Sequence, residues 1–498
     1  IGNRPDRQAA RTPTFACSGG HAGHKITGRP RGVGDGWGIS GGCMDAKKVR
    51  EIIERWMLPT EKTSYMGGVE KRPVIASADG ATVIDTQGRR YLDFQSGQMG
   101  AALGHRHPKI VAAIEKALKT MIHASNTMLN VPRLRLHEKL GKLLPPPLAK
   151  SLFLVSGSDS VEAAVDMARM ATGGTDVIGL HAGLHGSTSY MTRSLSFNWR
   201  RNKHSVVAPG TSAVLAPYCY RCPLGLKFPD CKIQCLDASL ELADANFTGK
   251  PAAFLGEPIL SAGGVIVPPE GFYKRVEDAC EARGMLLVID EAQTGLGKTG
   301  RLFGFQHEAD VTPDIIAISK HFGGGLPISA VCATAEVAER AVANGYFATR
   351  SHAGDPILCA AGEASLDVVV DEDMPGRAQR IERRIKERMN ELAKEIELIG
   401  DVRGRGVLLG IELVRDRVRK TPANDEAKRI AATCLEHGLI FQVRGVRDLT
   451  NVLRLVPPMT TTDAEVDRAL GILEDALRAV AGGAKRKGRN KADARAAE

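Results

Sequence analysis

The run Met285–Ile289 is unbroken in its apolar character and ends in two adjacent carboxylates, Asp290 and Glu291. The chain then turns rich in glycine, through Gly295, Gly297 and Gly300. An uninterrupted apolar run of this length predicts a strand covered on both faces of a parallel sheet. In an open α/β sheet, loops at the carboxyl ends of the strands are where ligands bind. The stretch from Asp314 to Ser319 repeats the pattern and ends in Lys320 and a second glycine-rich loop. One strand end supplies an acid and the other an amine.

A lysine at the end of a buried strand is costly unless it is used, and a covalent imine with a carbonyl cofactor is one such use. Pyridoxal phosphate needs a lysine for that bond and a carboxylate against its ring nitrogen. The plainer alternative is an ordinary salt bridge between two strand ends. The surrounding residues favour the first. Asp290-Glu-Ala-Gln293-Thr-Gly295, and Thr312-Pro-Asp314 through Ser319-Lys320, resemble the class III pyridoxal-phosphate aminotransferases. The resemblance runs from about Glu51 to Gly482. It implies fold type I: an α/β protein with a large domain built on a mixed, mostly parallel sheet flanked by helices, and a smaller α/β C-terminal domain.

Length and charge set further bounds. A chain of 498 residues can hold more than one core. Its net charge of +10 suggests nucleic acid until it is located. Residues 1–43 carry +4, residues 484–498 carry +4, and the rest about +2. Basic tails of this kind read as solvated and disordered, which argues against a nucleic-acid partner. Apolar runs are short and broken, so no membrane span is expected. With neither signal peptide nor lipidation motif visible, the expected address is cytoplasmic.

Along the chain, residues 1–43 are expected to be a disordered extension, with translation beginning at Met44 as one account of it. Residues 44–100 form an N-terminal segment expected to pack with the small domain. Residues 101–365 form the large cofactor-binding domain, 366–482 the small domain, and 483–498 a disordered basic tail. Strand Leu152–Val155 precedes Ser156-Gly157-Ser158, with a helix expected from Glu162. Small residues at a helix N-terminus make a phosphate cradle or simply an N-cap. Cys219, Cys222, Cys231 and Cys235 follow CxxC and CxxxC spacing in a Pro-rich loop; they suit either tetrahedral zinc or free thiols. No metal is assigned to the catalytic chemistry.

The family resemblance implies roles residue by residue. Lys320 holds the cofactor aldehyde and later moves protons; Asp290 pairs with the ring nitrogen. Gln293 reaches the ring hydroxyl, and Ser156, Gly157 and Ser158 hold the phosphate. Leu184, followed by His185, stands where relatives stack an aromatic ring; an aliphatic side chain forgoes about 0.5–1.5 kcal/mol of stacking. Ser351 stands where the family places a threonine that reaches the other subunit's phosphate, which implies a homodimer. Arg454 matches the receptor for the substrate carboxylate, a role suited to a bidentate guanidinium. Ala262 occupies a position where many ω-aminotransferases carry a glutamate that pairs with that arginine. Arg454 is therefore expected to stay open to α-amino and α-keto acids.

Ser-Gly-Gln98-Met, Leu-Gly-His105, Glu257-Pro-Ile-Leu-Ser261 and Asp401-Val-Arg-Gly-Arg-Gly resemble the 2,2-dialkylglycine decarboxylases within that family. That likeness implies that Gln98 holds the leaving carboxylate perpendicular to the cofactor ring, selecting decarboxylation, with a keto acid such as pyruvate as amino acceptor. Alternatively Gln98 only lines the pocket. Leu184 and Ala262 depart from the decarboxylase pattern, and the cysteine loop is foreign to it. Ordinary class III transamination, racemisation or carbon–carbon bond formation are the alternatives.

Overall fold

The computed structural model describes residues 46–58, 72–197, 207–446 and 449–495. The segment 1–43, expected to be disordered, lies outside them. Everything described here belongs to the unit Ala46–Glu498.

The central sheet has seven strands, in the order Leu148–Leu154, Ser329–Thr334, Ile315–Ile318, Leu286–Asp290, Pro251–Gly256, Asp176–Leu180 and Thr211–Val214. Ser329–Thr334 runs antiparallel to both its neighbours; the pairings from Ile315–Ile318 to Thr211–Val214 are parallel. Every residue of Leu286–Asp290 and Ile315–Ile318 is buried, as their apolar sequences require. Asp290 pairs with Ala317 and Gly256 with Ile289. That register sets Glu257, Asp290 and Lys320 at the carboxyl edges of three adjacent strands.

Helix Gly157–Thr172 packs on this sheet and begins at Gly157 rather than at Glu162. Ser156 and Asp159 form a reciprocal capping box that starts it early. A second sheet orders Ile399–Arg405, Leu408–Leu413, Val452–Leu455 and Gln442–Arg444, all antiparallel. It is flanked by helices Met374–Glu395, Asn424–Glu436 and Asp463–Arg495. A third sheet joins Ile75–Asp79, Thr82–Asp85 and Arg90–Asp93 to Leu439–Ile440, so the N-terminal segment hydrogen-bonds into the C-terminal region. The fold is α/β, with a large mixed-sheet domain and a smaller C-terminal α/β domain.

The tail departs from expectation. The backbone of the last helix continues to Arg495, through residues read as disordered. Alanine, lysine and arginine dominate that stretch, and all three favour helix. Among the described residues no helix is long and apolar enough to cross a membrane.

Candidate active site

Asp290 is 4% exposed. One carboxylate oxygen, Oδ2, accepts the His185 Nδ1 proton at 2.9 Å; the other accepts the Ala292 N–H at 3.0 Å. These contacts fix the plane of the carboxylate before any ligand meets it. Burial pulls the His185 imidazole down, but the Asp290 hydrogen bond and charge, with the Glu257 charge, outweigh it and hold it above its ordinary range. His185 therefore acts as the orienting donor to Asp290. Glu291 serves the loop instead: it accepts from Thr294 Oγ1 at 2.5 Å and from Phe305 N at 2.9 Å, closing the glycine-rich turn on itself.

Glu257, which sequence reasoning did not place in the site, is 2% exposed, and its Oε1 accepts the Leu184 N–H at 2.8 Å. Burial pushes its carboxyl up from an ordinary 4.5 to about 7, with Asp290 adding and His185 and Lys320 opposing. The clue lay in the strand-end pattern itself, since Glu257 ends the strand beside Asp290. Because the folded protein keeps this proton to higher pH than the unfolded chain, stability falls as pH rises from 4.5 to about 7. Glu257→Gln keeps an oxygen for Leu184 and removes the titration. Chemical denaturation of cofactor-stripped protein across that window is expected to show a shallower fall for the variant; equal slopes would exclude Glu257 as the source.

Lys320 directly follows the buried strand and Ser319, and its φ of 61° lies in the left-handed region. A non-glycine residue held there costs roughly 1–3 kcal/mol and persists only where its surroundings fix it. The Lys320 charge acts on both Glu257 and Lys298.

Gly157 approaches Ser319 so closely that a Cβ would lie 2.7 Å from the Ser319 hydroxyl. That hydroxyl is buried and has no hydrogen-bond partner among the described residues; the same holds for His185 Nε2 and Glu257 Oε2. Buried polar atoms left this way mark a place for a polar ligand. At the adjoining helix start the capping box satisfies the N–H groups of Ser156 and Asp159, at 3.1 and 3.2 Å. The N–H groups of Gly157 and Ser158 remain for an anion. Ser158 Oγ accepts the Ser187 N–H at 3.3 Å. The cradle, the acid and the lysine fit a phosphorylated pyridine aldehyde. The Ser156 hydroxyl donates to Asp159 Oδ2 at 2.9 Å and accepts the Asp159 N–H at 3.2 Å, capping the helix beside Gly157 and Ser158.

Arg454 is 4% exposed. Its guanidinium donates to Ser261 Oγ at 2.9 Å, to Gln293 Oε1 at 3.4 Å and to Gln442 Oε1. This ties Gln293, at the end of the central sheet, to the C-terminal sheet. Gln442 in turn donates to Gln95 Oε1 at 3.0 Å, in the turn that bears Gln98. Ser96, Gly97, Gln98 and Met99 all have positive φ. Asp93 secures that turn, accepting Gly97 N–H at 2.8 Å. Gln98 itself is exposed, and Ala262 is partly buried beside Ser261. Ser351 is also exposed, and the adjacent Arg350 lies 3.6 Å from Asp159 at the start of the Gly157–Thr172 helix. Ser261, Gln442 and Ser319 were not foreseen as site residues.

The cysteine loop stands apart. Cys219 is exposed and Cys222, Cys231 and Cys235 partly so, all as free thiols. Among the described residues, the ligand atoms of His123, His352 and Asp355 come within 4.8 Å of one another, whereas no three of these thiols do.

Residues 66–477 match the family described as Aminotransferase class-III. An uncharacterized aminotransferase of Schizosaccharomyces pombe is 36% identical over 434 residues, covering 86% of this chain and 96% of that protein. A leucine/methionine racemase of Thermococcus litoralis is 36% identical over 439 residues, covering 86% and 95%. The crystal structure of an amine transaminase from an uncultivated Pseudomonas species, with pyridoxal phosphate bound, superposes with a TM-score of 0.76 at 29% identity, covering 82% of this chain and 96% of that one. The chain belongs to the class III aminotransferases, pyridoxal-phosphate-dependent enzymes of fold type I that act on amino and keto acids.

Proposed function

We propose that this protein is an aminotransferase for α-amino acids with an α-keto acid as acceptor. The observation that carries this is the buried Arg454 guanidinium, which donates to the neutral side chains of Ser261, Gln293 and Gln442 where the central and C-terminal sheets meet, with alanine rather than a carboxylate at position 262. A guanidinium so placed can exchange amide and hydroxyl oxygens for a substrate carboxylate.

When bound, pyridoxal phosphate supplies an electrophilic carbon for the amine and a ring that takes up electrons. Lys320 would hold it through its amine and would hold and return the proton at the substrate's α-carbon. Asp290, steered by His185, keeps a proton on the ring nitrogen. Gly157 and Ser158 would hold the phosphate, Gln293 the ring hydroxyl, and Leu184 would lie against the ring. Arg454 orients the substrate by its carboxylate. The test is to supply α-amino acids and ω-amines in turn with pyruvate and to measure alanine. Alanine from α-amino acids supports the assignment; alanine from ω-amines alone would overturn it.

A second reading, decarboxylation-dependent transamination, has the strained Gln98 turn in its favour, because Gln95 and Gln442 link that turn to Arg454. It stands second because the relatives named above are an aminotransferase, a transaminase and a racemase. With 2-aminoisobutyrate as donor, Gln98→Ala should lower carbon dioxide release on the order of tenfold or more while sparing transamination of ordinary amino acids. Equal loss of both would remove Gln98 from any selecting role.

A homodimer is part of the proposal. Leu118, Ile122, Met128, Leu129 and Val131 form an exposed apolar stretch, and Ser351 lies on the surface too. Such a surface suits a second copy of the chain whose site Ser351 completes.

A further inference from the structure

Lys298 is a fully buried lysine that the chemistry above does not use. Its Nζ donates to Gly295 O at 2.8 Å and to His321 Nδ1 at 2.9 Å. His321 is equally buried, and its Nε2 donates to Leu296 O at 3.0 Å. A carbonyl oxygen can only accept, so Nε2 carries the ring proton and Nδ1 is the acceptor for the lysine. The pair therefore links two backbone carbonyls of the Gln293–Gly300 turn to the residue that follows Lys320. The titratable groups acting on Lys298 are His321, Lys320 and Glu291. Burial, then the Lys320 charge, press it toward the neutral amine, while Glu291 opposes them. On its other side, Lys298 O accepts the Val407 N–H at 2.8 Å. Gly406 packs against that carbonyl with no room for a side chain. The next strand, Leu408–Leu413, is paired to the Arg454 strand, Gly410 opposite Arg454.

We propose that Lys298 is a positioning residue for Lys320: through His321 it holds the left-handed turn that presents the Lys320 amine, and through its carbonyl it ties that turn to the sheet carrying Arg454. The inference rests on the role given to Lys320 above. A buried amine is an expensive way to fill a core, since an apolar side chain of similar volume is often neutral or stabilising there. The two hydrogen bonds and the left-handed neighbour account for retaining it.

The test uses Lys298→Met holoenzyme. Its thermal midpoint is expected to fall modestly, since Gly295 O and His321 Nδ1 lose their donor, so kcat is read well below it. Its kcat should fall on the order of tenfold to a hundredfold, because misplacing the reacting amine is costly. KM for the amino donor should change less than about threefold. The pH midpoint of the visible absorbance of lysine-bound cofactor should shift, since the turn that fixes the surroundings of the Lys320 amine is loosened. His321→Gln is the second variant, read by the same measurements, and the double variant should lose no more than the worse single one. An unmoved kcat and absorbance midpoint, a loss that only follows a lowered thermal midpoint, or additive losses would each overturn the inference. Visible absorbance that survives Lys320→Ala would instead defeat the proposed function. A normal Lys320→Ala result beside an unaffected Lys298→Met defeats the Lys298 role alone.

Discussion

Lys320→Ala is expected to lower kcat by about 10⁵-fold or more and to abolish the visible absorbance of lysine-bound cofactor, as loss of a covalent nucleophile does elsewhere. Two functions leave together: the bond that holds the cofactor and the base that moves the α-proton. The neighbouring amine of Lys298 cannot substitute, because it is buried and committed to Gly295 O and His321. Stability should change little, because alanine bears the same left-handed backbone strain as Lys320. Measuring kcat beside an absorbance spectrum separates the prediction from simple misfolding. Retained turnover would mean that Lys320 is not the attaching residue.

Asp290→Asn is the second large effect. The substitution keeps shape and can still accept the His185 proton, but it removes the charge that stabilises a proton on the ring nitrogen. Losing one preorganised electrostatic partner in a dry site costs on the order of 10²–10³ in kcat. Asp290 is 4% exposed and its plane is fixed by His185 and Ala292, so solvent cannot replace it. Cofactor affinity should weaken while the attachment to Lys320 survives. Steady-state kinetics at saturating cofactor checks the first statement, and absorbance titration the second. A variant with near-normal kcat would place the ring nitrogen elsewhere.

The central chemistry was legible because it sits at the ends of unbroken apolar strands. Met285–Ile289 and Asp314–Ser319 could only be buried strands, and their neighbouring register brings Asp290 and Lys320 to one edge. Glu257 ends a third such strand and was readable by the same logic. Gln442 was not: it reaches Arg454 because the short strand Gln442–Arg444 pairs with Val452–Leu455, a contact between segments with no shared local pattern. Ser319 was likewise hidden, since its place depends on how closely Gly157 approaches it. Ser156 shows how one residue can suit two readings. A capping serine and a phosphate-binding serine look alike in sequence, and the structure shows the cap through Asp159 three residues on. Helices Val131–Leu143, Gln234–Ala245 and Pro356–Asp371 went unread because no clear apolar stripe marks them. The helical tail escaped for another reason, since charge suggested a solvated coil where alanine and lysine favour helix.

The most direct measurement is to reduce the enzyme with borohydride, digest it and map the cofactor-bearing peptide by mass spectrometry. The cofactor mass is expected on Lys320 alone. Label on Lys298, on a surface lysine, or on no peptide at all would contradict the assignment of Lys320 and Asp290 as the two groups that hold the cofactor.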